Sequence, residues 1–420
     1  MDVDRPSELA TAKLDPFAPG FFADPYLQYQ NIRENDPVHR TEFGPWLLTR
    51  WDDVHRLLRN PSTSVDEARS IGPDRRLEIA ALSPERAERG DRAILNIDPP
   101  DHDRLRRLVS KAFTPRTVER LRPRVEALVE ELLATLAADA AEADGHVDVI
   151  AGLAFPLPFA VISEMLGMPP GDPGQLREWS HTLTQILDPI LALTNTEAIF
   201  EASDRMTEVV TEAIDWKRGR PDDDDLLSAL IQAEDGGEVL TERELIDNVI
   251  LLFLAGHETT VNLIGNGTYA LLSNRHELER LVGDPTLDAT AIEELLRYDS
   301  PVQFSRRIVL EPLELDGTSI GVGEFVMTGL GAANRDPAKF GPDADRLRLD
   351  RVDANQHVSF GSGVHHCLGA ALARLEGRAA IGALMRRFPN MELVDEQPQW
   401  NGRLILRGLD RLEVSVGPAA

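Results

Sequence analysis

The sequence is poor in cysteine, in basic residues and in long apolar runs. Cys367 is the only cysteine among 420 residues, which excludes a disulfide within the chain and a zinc site built from several cysteines. Lysine and arginine number 44 against 71 aspartates and glutamates, and the net charge of −27 argues against a nucleic-acid binder, which needs a basic face. The longest apolar runs, such as 249–255, fall far short of the ~18 to 20 residues that span a bilayer.

The N-terminal segment also lacks a targeting signal. It begins MDVDRPSELATAKLDPF, with charges on both sides of short apolar pieces and no apolar core of signal-peptide length, so we expect a cytoplasmic protein without a membrane anchor. With 42% hydrophobic residues the chain can bury a large core, as one large domain or as two smaller ones. Because no internal repeat or low-complexity linker interrupts it, one continuous fold is the simpler prediction.

The pattern of apolar residues predicts a mainly α-helical protein with a small β region. Apolar residues three and four apart favour helices through most of the chain up to about Val282, including segments 103–111, 116–137, 201–216 and 241–273. Segment 38–50 favours a hairpin that turns at Gly44 and Pro45, and strands are expected again at 324–328 and 404–416. The β-rich parts are therefore expected at roughly 38–60, 305–330 and 400–417.

The longest predicted helix carries the first group of residues that indicates chemistry. Thr241 and Glu244 form the capping-box pattern of a helix start, and roughly 33 residues at about 1.5 Å each would extend about 50 Å. Its middle reads AGHETT at 255–260, which places an acid and an alcohol in an otherwise apolar helix, where polar groups are costly unless they are bonded or used. Glu258 and Thr259 are therefore candidate functional residues. The alternative is that Thr259 bonds back to a helix carbonyl while Glu258 faces water.

A glycine-rich loop around the cysteine, FGSGVHHCLG at 360–369, carries the second group. Its glycines permit a tight turn with backbone amides pointing inward, and an apolar helix follows directly. A thiolate at Cys367 would be favoured by those amides and by the helix N-terminus. Two other interpretations stay open: a small buried side chain without chemistry, and a fragment of a zinc site with His365 and His366, which lacks a second cluster of ligands.

The cysteine loop resembles the haem-binding loop of the cytochrome P-450 family. The matching positions are Phe360, Gly363, His365, Cys367 and Gly369. The AGHETT segment is similar to the oxygen-activation motif of the same family, in which an acid and an alcohol face the distal side of the haem. The resemblance implies haem b as the cofactor, Cys367 as the iron ligand, and Glu258 and Thr259 as catalytic residues.

The resemblance also predicts the architecture. The fold of this family is a triangular, mainly helical body with a minor β-sheet domain, and the haem lies between the long central helix and the cysteine loop. The similarity extends from about Asp15 to the last predicted strand. We therefore expect a single cytochrome P-450 catalytic domain over residues 1–420, without a fused reductase.

Between the two motifs, ELLR at 294–297 places an acid and a base on one helix face. Glu294 and Arg297 are similar to the structural ion pair of the family. Arg346, in a segment similar to the family's meander, is the expected third member. This segment departs from the family pattern at Ala344 and Leu347, where a proline and a phenylalanine are common, and the departure bears directly on Arg346.

Four basic residues in matching contexts predict an anion clamp for the haem propionates. His102 and Arg106 are four residues apart in DPPDHDRLRR, which looks like the segment that leads into the helix over a propionate. Arg307 is similar to the strand arginine of the family, His365 belongs to the cysteine loop, and the planar fork of arginine suits carboxylates. The full set of expected cofactor-binding residues is His102, Arg106, Ala255, Gly256, Arg307, Phe360, Gly361, His365, Cys367 and Gly369.

By this resemblance the protein is expected to be a monomeric haem-thiolate monooxygenase of secondary metabolism. It would insert one atom of dioxygen into a bulky hydrophobic molecule by hydroxylation or epoxidation. The run AGHETTVNLIGNG looks most like members that tailor macrolides and other natural products. The predicted pocket residues are Ile94, Leu254, Val302, Phe304 and Ile405.

The chain carries no recognisable flavin or iron-sulfur module, so electrons are expected from NAD(P)H through a ferredoxin reductase and a ferredoxin. Two rival functions stay open. A peroxygenase would draw its oxidant from hydrogen peroxide and would not need the acid and alcohol pair. A non-catalytic haem sensor or carrier would keep the cysteine loop and would have no use for Thr259.

Overall fold

The computed structural model of the protein describes residues 12–71, 92–168, 173–220, 225–235 and 237–417. The charge pattern of the N-terminal segment therefore lies mostly outside the described residues. Within them the chain is mainly helical with short strands, as the sequence predicts. None of the described helices is both long and apolar enough to cross a lipid bilayer.

The helices pack around one long central helix. In chain order they are α1 Tyr26–Asn35, α2 Trp51–Leu58, α3 Asp101–Ala112, α4 Pro115–Glu142, α5 Pro156–Leu166, α6 Pro173–Thr184, α7 Pro189–Thr194, α8 Thr196–Arg218, α9 Leu226–Ile231, α10 Glu242–Leu272, α11 Arg275–Gly283, α12 Asp288–Tyr298, α13 Leu330–Asn334, α14 Pro337–Phe340 and α15 Ala370–Arg387. Three predicted segments lie within α3, α4 and α8, and the fourth matches α10 to within one residue at each end.

The strands are short, and the largest sheet combines strands from the first two of the three predicted β-rich parts with β3, which lies just beyond the first. The strands are β1 Val38–Arg40, β2 Trp46–Leu48, β3 Thr63–Ser64, β4 His146–Asp148, β5 Glu234–Asp235, β6 Glu238–Val239, β7 Phe304–Val309, β8 Leu313–Leu315, β9 Thr318–Ile320, β10 Phe325–Gly329, β11 Glu392–Leu393, β12 Gln399–Trp400, β13 Leu409–Arg411 and β14 Glu413–Ser415. One sheet has the order β1-β2-β10-β7-β3. The predicted hairpin is its antiparallel pair β1 and β2, with Val38 opposite Leu48.

The predicted strand over 404–416 forms only in its second half, as β13 and β14. The stretch before β13 makes a single bridge, between Leu406 and Val302. Its backbone bonds to residues 301–303 are the amide of Gln303 to the carbonyl of Ile405 and the amide of Arg407 to the carbonyl of Pro301, both at 2.9 Å. Two buried arginines also tie it to other parts of the fold: Arg403 pairs with Glu258 of α10, and Arg407 pairs with Asp299, the residue after α12.

Helix α10 begins at the predicted capping box. The amide of Glu244 donates to the Thr241 hydroxyl at 3.3 Å, and the amide of Thr241 donates to the Glu244 carboxylate at 2.9 Å. The largest hydrophobic cluster joins side chains of α4, α5, α8, α10, α12 and α15. Because each fully buried large apolar side chain contributes about 1.5 to 3 kcal/mol, this cluster holds the central helix in place beneath the site.

Candidate active site

The cysteine loop is a tight turn that its own backbone closes. The amide of Cys367 donates to the carbonyl of Phe360 at 2.9 Å. Gly361 and Gly363 have φ angles of +67° and +73°, which favour glycine, and a Cβ on Gly363 would lie 2.6 Å from the last carbonyl oxygen of α2. Gly369 has a φ of −81° and so is not required by the backbone. A Cβ on Gly369 would lie 3.9 Å from the Cys367 sulfur, which is an ordinary contact distance.

The Cys367 thiol is accessible to solvent, although protein atoms surround it on most sides, so it lies within a cleft. Burial raises the pKa of this thiol, and the amides of Gly369 and Ala370 at the start of α15 oppose the rise. Such a thiol becomes a thiolate when a metal ion binds, because the charge of the ion replaces the proton. Among the described residues no group of three or more His, Cys, Asp and Glu side chains is placed to hold a metal ion.

The predicted propionate residues meet beside this loop. His102, Arg307 and Arg106 all act electrostatically on His365, and the ring centroids of His102 and His365 are 4.3 Å apart. Arg106 also donates to the carbonyl of His366 at 2.8 Å. Burial, followed by the neighbouring positive groups, lowers the pKa of His365 to about 3. The positive groups of this cluster disfavour a further positive charge on His365. Such a concentration of positive charge and hydrogen-bond donors is suited to binding an anion.

Two buried members of the cluster lack either a hydrogen-bond partner or an ion pair in the described part of the chain. His102 contacts Asp103 through Nδ1 at 3.1 Å, but its buried Nε2 has no hydrogen-bond partner. Arg307 donates to the carbonyls of Arg306 and Leu58 at 2.6 and 3.4 Å, and burial lowers its pKa to about 10. Buried donors are costly to leave unpaired. The carboxylates of the two haem propionates match this donor set, so the residues fit the implied cofactor.

The middle turn of α10 borders accessible space. Ala255 is exposed and Thr259 is half-buried, whereas the flanking turns of the helix are mostly buried. The Thr259 hydroxyl donates to the carbonyl of Ala255 at 3.0 Å, so the backbone bond weighed as an alternative is present. A Cβ on Gly256 would lie 2.8 Å from Ile162 of α5. The missing side chain therefore serves helix packing, and its direction does not support the predicted cofactor contact of Gly256.

Glu258 is largely buried and paired with an arginine, so it does not face bulk solvent as the alternative interpretation expects. Its Oε1 accepts from Nη1 of Arg403 at 3.0 Å, and Arg403 is itself only 4% exposed. The same guanidinium donates to the Thr184 hydroxyl at 2.8 Å and lies within 3.0 Å of the His181 ring nitrogens. Sequence reasoning missed Arg403, because no spacing connects it with Glu258. An isolated arginine within a mostly apolar stretch was its only signal.

The structure contains the Glu294 and Arg297 ion pair, with Nε to Oε2 at 2.7 Å and both side chains at 0% exposure. Its third member is Arg351, whose Nε lies 3.2 Å from Oε1 of Glu294. The prediction of Arg346 is therefore wrong. The turn closed by the Arg346 amide on the carbonyl of Asp343 leaves this side chain exposed, and only the Arg346 carbonyl accepts from Arg297, at 3.1 Å.

Phe360 is fixed from the side of α15. The guanidinium of Arg374 lies 4.5 Å from the centre of the Phe360 ring, and Nε of Arg374 donates to Glu293 at 2.6 Å. Burial alone would raise the pKa of Glu293, but its hydrogen bonds to His357 and Arg374 hold it at about 2. The base of the cysteine loop is thus anchored by an ionised acid of α12.

The predicted pocket residues do not all reach the cleft. Phe304 is misplaced: it is 2% exposed and packs edge to face on Tyr29 with ring centroids 5.5 Å apart, because its place in β7 points into the core around α1. Ile94 is nearly buried in a small cluster with Ile97 and Leu105. The half-buried members of the predicted set are Leu254, Val302 and Ile405.

Comparison with known proteins decides the family. The sequence profile described as Cytochrome P450 matches residues 68–408. The chain belongs to the cytochrome P450 family. The profile includes the propionate residues, the central helix and the cysteine loop, so the family assignment and the site geometry rest on the same segments.

Relatives of this cytochrome P450 cover nearly its whole length. It is 42% identical over 404 residues to the cytochrome P450 monooxygenase PikC of Streptomyces venezuelae, covering 94% of this chain and 91% of the relative. It is 39% identical over 397 residues to mycinamicin IV hydroxylase/epoxidase of Micromonospora griseorubida, covering 91% and 93%. The structure of PksS, the cytochrome P450 of the Bacillus subtilis 168 bacillaene polyketide synthase, aligns with a TM-score of 0.84 at 38% identity, covering 96% and 100%.

These findings confirm the predicted fold class and reaction type. The protein has the cytochrome P450 fold, binds haem b, and is a monooxygenase that inserts one atom of dioxygen into a small molecule. The peroxygenase and sensor alternatives are not what its named relatives support.

Proposed function

We propose that Cys367 ligates the haem iron and that this cytochrome P450 oxidises a bulky, mostly apolar molecule bound between the cysteine loop and the middle turn of α10. The observation that carries the proposal is an accessible thiol next to a cluster of basic residues in which the buried Nε2 of His102 has no hydrogen-bond partner among the described residues. The thiol would hold the metal, and the cluster would hold the propionates. The cluster consists of His102, Arg106, Arg307 and His365.

Haem with a thiolate ligand supplies the binding of dioxygen and the cleavage of its O–O bond. The contribution of the protein on the opposite face is to hold and move protons. Thr259 presents a hydroxyl at the accessible turn, and release of its bond to Ala255 would free that hydroxyl as a donor. Glu258, the neighbouring acid, would supply the proton that replaces the one Thr259 gives up.

The substrate class we favour is a polyketide-derived natural product, modified by hydroxylation or epoxidation. Leu254, Val302 and Ile405 offer half-buried apolar surface, and the small side chain of Ala255 leaves room in front of the central helix. PksS belongs to a bacillaene polyketide synthase, and the Micromonospora relative is a hydroxylase/epoxidase of mycinamicin IV. Because a fold does not fix a substrate, these relatives support a class and not one compound.

We also propose that the electrons come from a separate ferredoxin, which an NAD(P)H-dependent reductase reduces. Val364 of the cysteine loop is 51% exposed, and Arg106 lies beside Cys367. On an enzyme with a net charge of −27, a local apolar and basic surface is where an acidic ferredoxin would meet least repulsion. A cytoplasmic, monomeric enzyme with one catalytic domain over 1–420 belongs to the same proposal.

The reduced, carbon-monoxide-bound absorption spectrum tests the ligand directly. We expect the red-shifted Soret band of a thiolate-ligated haem in the wild type and in His366→Ala, and its loss in Cys367→Ser. His366 is the matched control because it adjoins the cysteine but its side chain is not assigned to the iron. A thiolate band that survives Cys367→Ser would overturn the assignment.

Turnover of a macrolide panel then separates the reaction types. We expect product with ferredoxin, its reductase and NAD(P)H, and little with hydrogen peroxide alone. Product from peroxide alone would indicate a peroxygenase. Haem binding without turnover under either condition, across the panel, would contradict the proposed substrate class.

A further inference from the structure

A polar chamber lies on the side of α10 that Glu258 faces. It offers about 70 Å³ of space for water, enough for several molecules, and it opens towards solvent. Hydrophobic residues close part of it, but its polar walls come from α6, α10 and the C-terminal strands. The polar lining residues are Arg177, His181, Glu258, Asn262, Asn401 and Asp410.

One hydrogen-bond donor in the wall of the chamber has no partner among the described residues. Asn262, one helical turn beyond Glu258, is 3% exposed, and its Nδ2 has no hydrogen-bond partner in the described residues. A Cβ on Gly408 would lie 1.8 Å from Oδ1 of Asn262, so a glycine there is what admits the amide. An unpaired buried amide that lines a polar space is suited to an ordered water molecule.

Arg403 sets the direction of the Glu258 carboxylate. The guanidinium bonds Glu258 at 3.0 Å on one side and the Thr184 hydroxyl at 2.8 Å on another. The stretch that carries it is pinned by the amide of Leu404, which donates to Asp188 at 2.6 Å. Glu258 is therefore held towards the chamber, whereas the next residue, the half-buried Thr259, is not among the residues that line it.

His181 connects this chamber with bulk water. It is solvent-exposed, lines the chamber, and lies within 3.0 Å of Arg403. The charged groups that face it are Arg403, Glu258, Asp410 and Arg177.

We propose that Arg403 is a positioning residue that holds Glu258 against the chamber, and that protons reach Glu258 from solvent through His181 and the chamber water. This inference rests on the proposed function, since it concerns the proton supply of the same site. Protonated His181 gives its proton to a chamber water, that water passes a proton to the Glu258 carboxylate, and His181 regains a proton from bulk solvent. Arg403 keeps its protons throughout, because a guanidinium does not act as a proton donor in proteins.

The proposed relay should depend on pH through the protonation of His181. Although His181 is partly open to solvent, the protein atoms around its ring desolvate it; this effect, followed by Arg403, lowers the pKa of His181, whereas Glu258 and Asp410 oppose it. The fraction of protonated His181 therefore falls as the pH rises through its lowered pKa. Proton supply to Glu258 is expected to weaken over the same range.

Titration of His181 tests the contact without turnover. We would label histidines with ¹³C in the diamagnetic, carbon-monoxide-bound holoenzyme and assign His181 from its missing signal in His181→Gln. Arg403→Gln should raise the pKa of His181, because a cation in contact is lost, and Glu258→Gln should lower it, because an anion is lost. Arg411→Gln, which removes an exposed arginine from the same C-terminal region, should leave it unchanged. An unchanged His181 pKa in Arg403→Gln would overturn the proposed positioning.

Turnover tests the role of the chamber. With ferredoxin, reductase and NAD(P)H, Arg403→Gln should lower the product formed per NAD(P)H by about tenfold or more and should enlarge the solvent isotope effect, with little change in KM. Arg403→Lys should restore part of the coupling, since it returns a positive charge. His181→Gln, an exposed change that the fold tolerates more easily, should enlarge the solvent isotope effect and flatten the fall of turnover with pH.

The outcomes distinguish failure of the proposed relay from failure of the proposed function. If the wild type lacks the thiolate band or shows no NAD(P)H-dependent product, the proposed function fails and the relay fails with it. If the wild type turns over and both Arg403→Gln and His181→Gln match Arg411→Gln in coupling and isotope effect, the relay alone is wrong.

Discussion

Two buried pairs of glutamate and arginine perform different tasks in this cytochrome P450. In the first, Glu294 and Arg297 are both 0% exposed, and the remaining donors of Arg297 go to backbone carbonyls. In the second, Arg403 binds Glu258 next to a water-sized chamber and an exposed histidine. The comparison shows that burial of an ion pair does not reveal its role. The surroundings differ: backbone carbonyls fix Arg297 as part of a brace, whereas the chamber and His181 beside Arg403 are the basis of the proton path that we propose.

The largest effect should come from breaking the brace. Arg297→Gln leaves Glu294 buried with only part of its charge compensated, and loss of one partner of a buried pair costs about 3 to 5 kcal/mol. Urea unfolding measures the change in the free energy of unfolding. The control is Arg348→Gln, which removes a half-exposed pair with Asp343 and should cost less than about 1 kcal/mol. Equal losses in the two variants would contradict the distinction between buried brace and surface pair.

A third buried arginine, Arg307, has no acidic partner among the described residues. If the haem propionates are the partners of Arg307, removing this side chain should weaken haem binding more than it destabilises the polypeptide core. Each of Arg307→Gln and His102→Phe should lower haem affinity about tenfold or more, because a hydrogen bond to a charged group contributes about 1.5 to 3 kcal/mol. Haem transfer to apomyoglobin measures the affinity. A double variant that retains wild-type affinity would exclude both residues from the propionate site.

The next largest change in stability is expected at Arg351, the third member of the ion pair of Glu294 and Arg297. Arg351→Gln removes a buried contact to Glu294 and should cost about 1 to 3 kcal/mol of unfolding free energy. Arg346→Gln leaves the carbonyl that Arg297 uses and should stay within about 0.5 kcal/mol of the wild type, as exposed changes usually do. Urea unfolding of both variants under the same conditions tests the assignment. A larger loss for Arg346→Gln would reverse it.

Glu376 is a buried acid without an arginine partner among the described residues. The pH dependence of stability should therefore distinguish it from the two paired glutamates. Burial raises the pKa of its carboxyl to about 8, against a weaker opposing effect of Thr260. Between its ordinary value and about 8 the unfolded chain loses this proton while the folded protein keeps it, so stability falls with rising pH by up to about 1.4 kcal/mol per unit. Glu376→Gln should therefore gain on the wild type from about pH 5 to about pH 8 in urea unfolding. The exposed Glu279→Gln should show no such gain; a parallel course of Glu376→Gln and wild type would contradict the buried neutral acid.

The smallest effect on stability is expected at Thr259, the alcohol next to Glu258 in α10. Thr259→Ala removes a hydroxyl bonded to a helix carbonyl and should change the free energy of unfolding by less than about 1 kcal/mol, but it should raise the hydrogen peroxide released per NAD(P)H. Thr211→Ala is the matched control, because its hydroxyl makes the same kind of bond, to the carbonyl of Thr207 in α8, away from the motif. Peroxide release that stays at the wild-type level in Thr259→Ala would remove Thr259 from the proton path.

Much of the fold follows from local signals in the sequence. The limits of α10 follow from a capping box and apolar periodicity, and the hairpin of β1 and β2 from the turn at Gly44 and Pro45. The stretch before β13 shows where such signals fail. Its apolar residues favour a strand, yet Arg403 binds Glu258 of α10 and Arg407 binds Asp299, the residue after α12.

The sequence by itself determined the features that depend on a few consecutive residues: the helical class, the glycine turn that presents Cys367, and the ion pair of Glu294 and Arg297 one helical turn apart. The tertiary structure alone decided contacts between distant segments. Arg403 meets Glu258 across 145 positions of sequence, and Arg351 displaces Arg346 as the partner of Glu294. Local steric and hydrogen-bonding rules act over a few residues, whereas the partner of a buried charge depends on which elements pack together.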